Sequence, residues 1–145
     1  MPQRPIIKVI QNRDFIIAST GTSARKAAEL MRRQQQDALV VVDAGGRLVG
    51  ICTEEDLCHK IIAAGLSAEI TTIGEIMVRD PLSIGPEKPF GHALHMMFEG
   101  GFRHMPVVDH RHRPIGIISA RDALGLEILH FRDELTLREE IAQIL

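Results

Sequence analysis

The chain has 145 residues, the length of a single domain at ~100–200 residues each, and long enough to bury a core without disulfides or metal. Apolar residues make up 45% and charged residues 25%; this balance excludes wholesale disorder, and no apolar run reaches the ~18 residues of a membrane span. The net charge is −2 with neutral histidines, and Trp and Tyr are absent, which excludes both a basic nucleic-acid footprint and an aromatic stacking platform.

The leader Met1-Pro2-Gln3-Arg4-Pro5 is followed by too short an apolar stretch for a signal peptide. Cys52 and Cys58 are too few for a disulfide scaffold, so a reduced, cytoplasmic protein is expected. In chain order, Phe15 to Ala18 reads as a strand. Ala24, Ala27, Ala28 and Met31 share one helical face. Leu39 to Asp43 and Leu48 to Cys52 flank Ala44-Gly45-Gly46-Arg47 as a β-hairpin. A helix is predicted from Glu54 to about Ala64, then a connector from Gly65 to Ile70, then a short capped turn of helix over Thr72 to Met77. Leu82 to Ile84 reads as a strand, and Phe90, Ala93, Leu94 and Met97 as a helix face. Val107 to Asp109 and Ile115 to Ile118 form a second hairpin, and a helix runs from Ala120 to about Phe131. Residues 132–145, with Leu135, Leu137, Ile141, Ile144 and Leu145, read as a separate terminal amphipathic helix.

These elements repeat. A shift of 66 residues aligns 13–56 with 79–122 without a gap, with 11 identities in 44 positions. Arg13-Asp14 falls on Arg79-Asp80, Val41-Val42-Asp43 on Val107-Val108-Asp109, Gly50-Ile51 on Gly116-Ile117, and Asp56 on Asp122. The unit is β-α-β-β-α, present twice, in a mixed α/β fold. Repeat one spans about 8–64, a linker 65–73, and repeat two about 74–131. A ~60-residue unit is marginal alone, so the two copies are expected to pack about a pseudo-two-fold axis.

Gly50-Ile51-Cys52-Thr53-Glu54-Glu55-Asp56 recurs as Gly116-Ile117-Ile118-Ser119-Ala120-Arg121-Asp122, each where a strand ends and a helix begins. A hydroxyl followed three residues later by an acid fits a capping box. The same pair suits a ribose, whose vicinal hydroxyls need acceptors side by side. The glycine serves either close backbone approach or an unusual φ.

Both segments resemble the Gly-hydrophobic-x-Ser/Thr-x-x-Asp signature of the cystathionine-β-synthase-type (CBS) regulatory domain. Arg103-His104-Met105-Pro106-Val107-Val108-Asp109 resembles that family's Arg-His-x-Pro-Val-Val-Asp stretch, and Thr72 to Met77 its segment before a second copy. The similarity covers residues 8–131, a tandem pair or Bateman module. It implies two clefts near the pseudo-two-fold that bind adenosyl compounds such as AMP, ATP, NAD(H) or S-adenosylmethionine, making the chain an energy or redox sensor. Carried over, Ser119 and Asp122 hold one ribose, Thr53 and Asp56 the other. Met105 and Pro106 offer backbone to adenine, and Arg103, His104 and Arg121 meet phosphate. The first repeat has Asp37-Ala38-Leu39-Val40 where the second has Arg103-His104-Met105-Pro106, and Glu54-Glu55 against Ala120-Arg121. Carboxylates repel phosphate, so the Asp56 site is expected to be the weaker one, holding an uncharged adenosine moiety or nothing. The alternative is a dimerisation module whose clefts bind nothing.

No nucleophile has an adjacent base, no glycine loop cradles phosphate, and no metal signature is present. The chain is therefore read as neither an enzyme nor a metal protein, with an adenine nucleotide as regulatory ligand and no catalytic cofactor. Met96, Phe98, Leu126, Ile128 and Leu129 are more apolar residues than one helix face buries. A homodimer is expected, together with an unidentified regulated protein, and no nucleic-acid or membrane partner.

Overall fold

The computed structural model describes residues 4–144, apart from the side chain of Leu126; the expectations for Met1 to Gln3, Leu126 and Leu145 lie outside the described residues. Helix α1 (Ile6–Ile10) precedes strand β1 (Ile17–Ser19), helix α2 (Ala24–Gln34), strands β2 (Ala38–Val42) and β3 (Leu48–Thr53) and helix α3 (Glu54–Leu57). Helix α4 (Ile73–Ile76) and strand β4 (Val78–Arg79) lead into helix α5 (Phe90–Gly100), strands β5 (His104–Val108) and β6 (Pro114–Ser119) and helix α6 (Gly125–Ile144). The sheet of repeat one has the order β1-β2-β3-β4, and β5 pairs with β6 in repeat two.

The two hairpins are built alike. Asp43 Oδ1 accepts the N–H groups of Gly45 and Arg47, and Asp109 Oδ1 those of Arg111 and Arg113. Gly46 and His112, 66 apart, both sit at positive φ, 82° and 62°. The helix caps Gln35 and Gly101, also 66 apart, are left-handed as well.

The two cores are not divided where the repeats divide. Ile73, Ile76 and Met77, which introduce repeat two, lie in a core with Ile16, Ala27, Met31, Leu39 and Cys52 of repeat one. Ile6 and Ile10, which introduce repeat one, lie in a core with Phe90, Met97, Met105 and Ile118 of repeat two. The backbone follows suit. Ile6 N–H donates to Lys88 O at 2.9 Å and Phe90 N–H to Arg4 O at 2.8 Å; Ile73 N–H donates to Thr22 O and Ala24 N–H to Thr71 O, both at 2.8 Å. Each leading helix is thus exchanged into the other repeat. The spacing from Ile6 to Ile73 is 67 residues, one more than the repeat shift, and this slip hides α1 in the gapless alignment.

The signature glycines make room for the exchange. A Cβ on Gly116 would stand 2.9 Å from Ile10 Cβ, and one on Gly50 2.3 Å from Met77 Sδ. Of the two sequence readings of these glycines, close approach is the one realised, since neither has a positive φ.

Three expected elements differ. Leu82 to Ile84 is not a strand; only Ile84 bridges Val107. In repeat one Val40 N–H donates to Ile16 O at 3.0 Å, but its counterpart, Pro106, has no N–H to donate. The helix predicted over Glu54 to Ala64 has a π turn at Cys58–Ile62. The break expected near residue 132 is absent, and α6 is continuous over Gly125–Ile144. No Gly or Pro interrupts residues 126–144, and α5 supports the middle of α6: His95 pairs with Glu134, Phe131 packs edge-on against Phe98 at 5.6 Å, and Arg138 pairs with Glu99 at 2.9 Å. The break falls earlier, at extended Ala123. No helix among the described residues is long and apolar enough to cross a membrane.

The glycine seats give a ranked prediction. Met77 Sδ belongs to a flexible side chain that can turn aside, whereas Ile10 Cβ is fixed to the α1 backbone. Gly116→Ala should cost ~2–3 kcal/mol and Gly50→Ala ~1 kcal/mol, measured by urea unfolding; equal losses would mean that α1 yields as readily as a methionine tip.

Candidate functional site

The signature turns begin as helix caps. Thr53 N–H donates to Asp56 Oδ2 at 3.0 Å, and Asp56 N–H to Thr53 Oγ1 at 3.3 Å. Ser119 N–H donates to Asp122 Oδ2 at 2.8 Å. The turn before repeat two uses the same device, with Thr72 N–H donating to Glu75 Oε2 at 2.7 Å. Each acid thereby satisfies an amide that the helix start leaves without a partner. What occupies the rest of each carboxylate separates the two copies.

Asp56 is 8% exposed, and its Oδ1 lies 3.0 Å from Lys60 Nζ, itself half out in solvent. Lys60 also donates to Ile76 O at 2.9 Å. Asp122 is held far more tightly. Arg13 donates from Nη1 to Oδ1 at 2.7 Å and from Nη2 to Oδ2 at 2.9 Å, and Nη2 also reaches Ile117 O at 2.8 Å. Arg4 Nη2 caps the Asp122 carbonyl at 2.8 Å while pairing with Glu127. Burial opposes the charge on Asp122, but the Arg13 fork and the Ser119 N–H outweigh it and hold the carboxyl below its ordinary value. The same bonds raise the Arg13 guanidinium against its own burial.

A cleft of about 790 Å³ opens between the repeats. One wall carries Thr53, Glu54, Glu55 and Asp56, the other Arg103, His104, Ser119, Ala120 and Arg121. Ile51, Val78, Leu82 and Phe102 supply apolar surface, and Asp37 and Asp80 add acid. Backbone bonds from Glu54 to Asp37 O and from Ala120 to Arg103 O, each 3.0 Å, pin the two walls in equivalent ways. Across the cleft His104 Nε2 lies 3.0 Å and Arg121 Nη1 3.9 Å from Asp37 Oδ2. The charge reversal between copies is therefore a contact.

Not all the expected site residues meet. Arg103 and His104 line the cleft with Thr53 and Asp56, whereas the sequence reading grouped them with Asp122, which stands outside the lining. A basic stretch in one repeat faces the signature of the other because the repeats pack across the axis. Met105 and Pro106 are also outside the lining: Met105 is fully buried in the repeat-two core, and the Pro106 carbonyl accepts from Ile84. Sequence reasoning missed Arg13, Lys60 and Asp37. The Arg-Asp pair kept in both copies was a signal for Arg13; Lys60, four residues after Asp56, was another.

Cys52 supplies no activated thiol. Burial, with the Asp56 charge adding to it, pushes Cys52 up to about 12. Among the described residues no group of three or more His, Cys, Asp or Glu side chains converges for a metal.

The CBS domain family model matches residues 7–63 and 73–128. Among solved structures, the fold is similar to the CBS domain pair of protein MJ0100 in complex with 5′-methylthioadenosine and S-adenosyl-L-methionine, with TM-score 0.75 and 29% identity over 83% of this chain and 93% of that one. It is also similar to the CBS-domain containing protein ATU1752 from Agrobacterium tumefaciens, with TM-score 0.73 and 26% identity over 82% of this chain and 95% of that one. The CBS domain-containing protein CBSCBSPB2 of Arabidopsis thaliana is 31% identical over 103 residues, which is 71% of this chain. The chain spans 19% of that relative's length.

The Arg13 fork has a measurable pH signature. Asp122 is depressed in the folded chain, so its contribution is present above the ordinary carboxylate range and is lost as pH falls through the depressed value. Arg13→Gln should cost on the order of 1 kcal/mol at about pH 7, and urea unfolding at about pH 2 should show the two proteins converging. A gap of the same size at both pH values would mean that packing, not charge, holds Arg13.

Proposed function

The chain belongs to the CBS domain family, and from that membership we propose that its pair of repeats is a regulatory module that binds an adenosyl ligand in the cleft between them. The observation that carries the reading is the juxtaposition of Thr53 and Asp56 with Arg103, His104 and Arg121 around one cleft of about 790 Å³, a size within the ~300–1,000 Å³ usual for small-molecule sites. A ribose placed on the Asp56 side offers its hydroxyls in place of Lys60, whose ammonium is half exposed and can return to water. The adenine ring lies against Ile51, Val78, Leu82 and Phe102. The 5′ substituent faces Arg103 and Arg121, which suits the phosphate of AMP or the carboxylate of S-adenosylmethionine. The likeness to MJ0100, whose pair holds two adenosyl compounds, supports the ligand class. The sensing role follows from the site's position: a ligand bridging both walls changes how the repeats sit against each other.

Calorimetry with AMP, ATP, NADH and S-adenosylmethionine tests the reading. Asp56→Ala should weaken binding tenfold or more, since each bond to a charged group is worth ~1.5–3 kcal/mol, with circular dichroism checking that the cap survives. Arg121→Gln should weaken AMP and leave adenosine nearly unchanged. No binding by any of the four ligands would leave the alternative, a dimerisation module with non-binding clefts, which the internal bonding of both signature acids supports. The same module is proposed to form a homodimer through α5 and α6, where Phe98, Ile128, Leu129, Leu137 and Ile141 are exposed; light scattering that finds only a 16.1 kDa monomer, with and without ligand, would reject it.

A further inference from the structure

The two signature acids are equivalent in sequence and unequal in the fold. Asp56 lines the cleft and shares one oxygen with a single ammonium. Asp122 stands outside the lining, and both its oxygens take a parallel fork from Arg13, at 2.7 and 2.9 Å. The repeat counterpart of Arg13 does nothing similar, because Arg79 donates to Gly74 O at 3.2 Å. The difference arises in the backbone. Repeat one has one residue more from the start of its leading helix to its arginine, Ile6 to Arg13 against Ile73 to Arg79, and Asn12 takes a positive φ of 58° just before Arg13. After repeat two's leading helix the chain instead runs straight into β4, which pairs Arg79 with Gly50.

We propose that Arg13 is an internal occupant of the second ribose position. On this account the pair takes one adenosyl ligand per chain, in the cleft of Asp56, and Arg13 sets that stoichiometry. The inference rests on the adenosyl reading above. Its physics is a competition for one carboxylate. A ribose offers two neutral hydroxyls, whereas a guanidinium offers two charge-assisted bonds in matched geometry. Arg13 is also tethered, and a tethered group acts at an effective concentration of order millimolar, above that of a free ligand at micromolar levels. The third bond, to Ile117 O, fixes the fork in place. On the other side of α1, Arg4 holds the Asp122 carbonyl and lies over the Phe90 ring at 5.2 Å. Arg4 and Arg13 thus bracket α1, and Asp122 anchors both. An occupant of the second position would have to loosen the exchanged helix as well as break the fork.

Stoichiometry is the readout. The intact chain is titrated by calorimetry with 5′-methylthioadenosine and with AMP, and so are Arg13→Gln, Arg13→Lys and the double variant Arg13→Gln/Asp56→Ala. The wild-type chain should bind one equivalent. Arg13→Gln should bind two, the second more weakly, and the double variant should keep only the new site. Arg13→Lys retains the charge without the fork and should also admit a second equivalent, which keeps the test alive if the Gln variant fails to fold. Two equivalents on the wild-type chain, or one on every folded Arg13 variant, would overturn the occupancy of Asp122 and leave the adenosyl reading standing. No binding of either probe to the wild-type chain or to any variant would overturn both.

Discussion

The structure depends on the exchange of its two leading helices. Each is a single turn or little more, too short to be stable alone. Each is held because its apolar residues complete the other repeat's core and its backbone bonds to the other repeat's chain. Ile6 and Ile10 belong to the core of repeat two, and Ile73, Ile76 and Met77 to that of repeat one. Neither repeat has a complete core without the other. The signature glycines follow from this arrangement, since Gly50 and Gly116 lie under the inserted residues and a methyl group there would collide with them.

The exchange also sets up the cleft. With the repeats held across the axis, the start of one inner strand faces the signature turn of the other copy. Asp37 of repeat one meets His104 and Arg121 of repeat two, and Arg103 shares the cleft with Asp56. Acid and base segregate between copies so that the walls attract each other. The acids also leave the cleft less positive than a polyphosphate site, with two arginines against Asp37, Glu54, Glu55, Asp56 and Asp80. The CBS pair is not catalytic; what it offers a ligand is contact with both walls at once.

The caps serve two purposes. Thr53-Asp56 and Ser119-Asp122 each close a helix start, and each carboxylate also takes a second, cationic partner. At Asp56 that partner is a half-exposed lysine; at Asp122 it is a two-bond arginine fork that lowers the pKa of the carboxyl against the cost of burial. The same short motif therefore gives an accessible group in one copy and a structural anchor in the other. Nothing within the motif decides between them; the arginine that does so lies 109 residues before Asp122.

The duplicated pattern in the sequence determined the repeat, the two hairpins, the helix faces of α2 and α5 and the capped signature turns. These are local: turn chemistry at Asp43 and Asp109, apolar spacing along a helix, and a hydroxyl three residues before an acid all act within a few residues. Tertiary structure decided the rest. Pro106 removed a ladder bond and so reduced Leu82–Ile84 to a single bridge, a consequence visible only once that segment is placed beside β5. The helix α1 escaped notice because its five residues have too little periodicity to stand out and their one-residue slip breaks the alignment. The grouping of site residues was illegible for a related reason. Sequence proximity placed Arg103 and His104 with Asp122, while packing across the axis placed them with Asp56. A chain states which side chains it carries and how its segments prefer to curl, but long-range contacts depend on which buried faces fit together, and here each repeat fits its neighbour's leading helix and not its own.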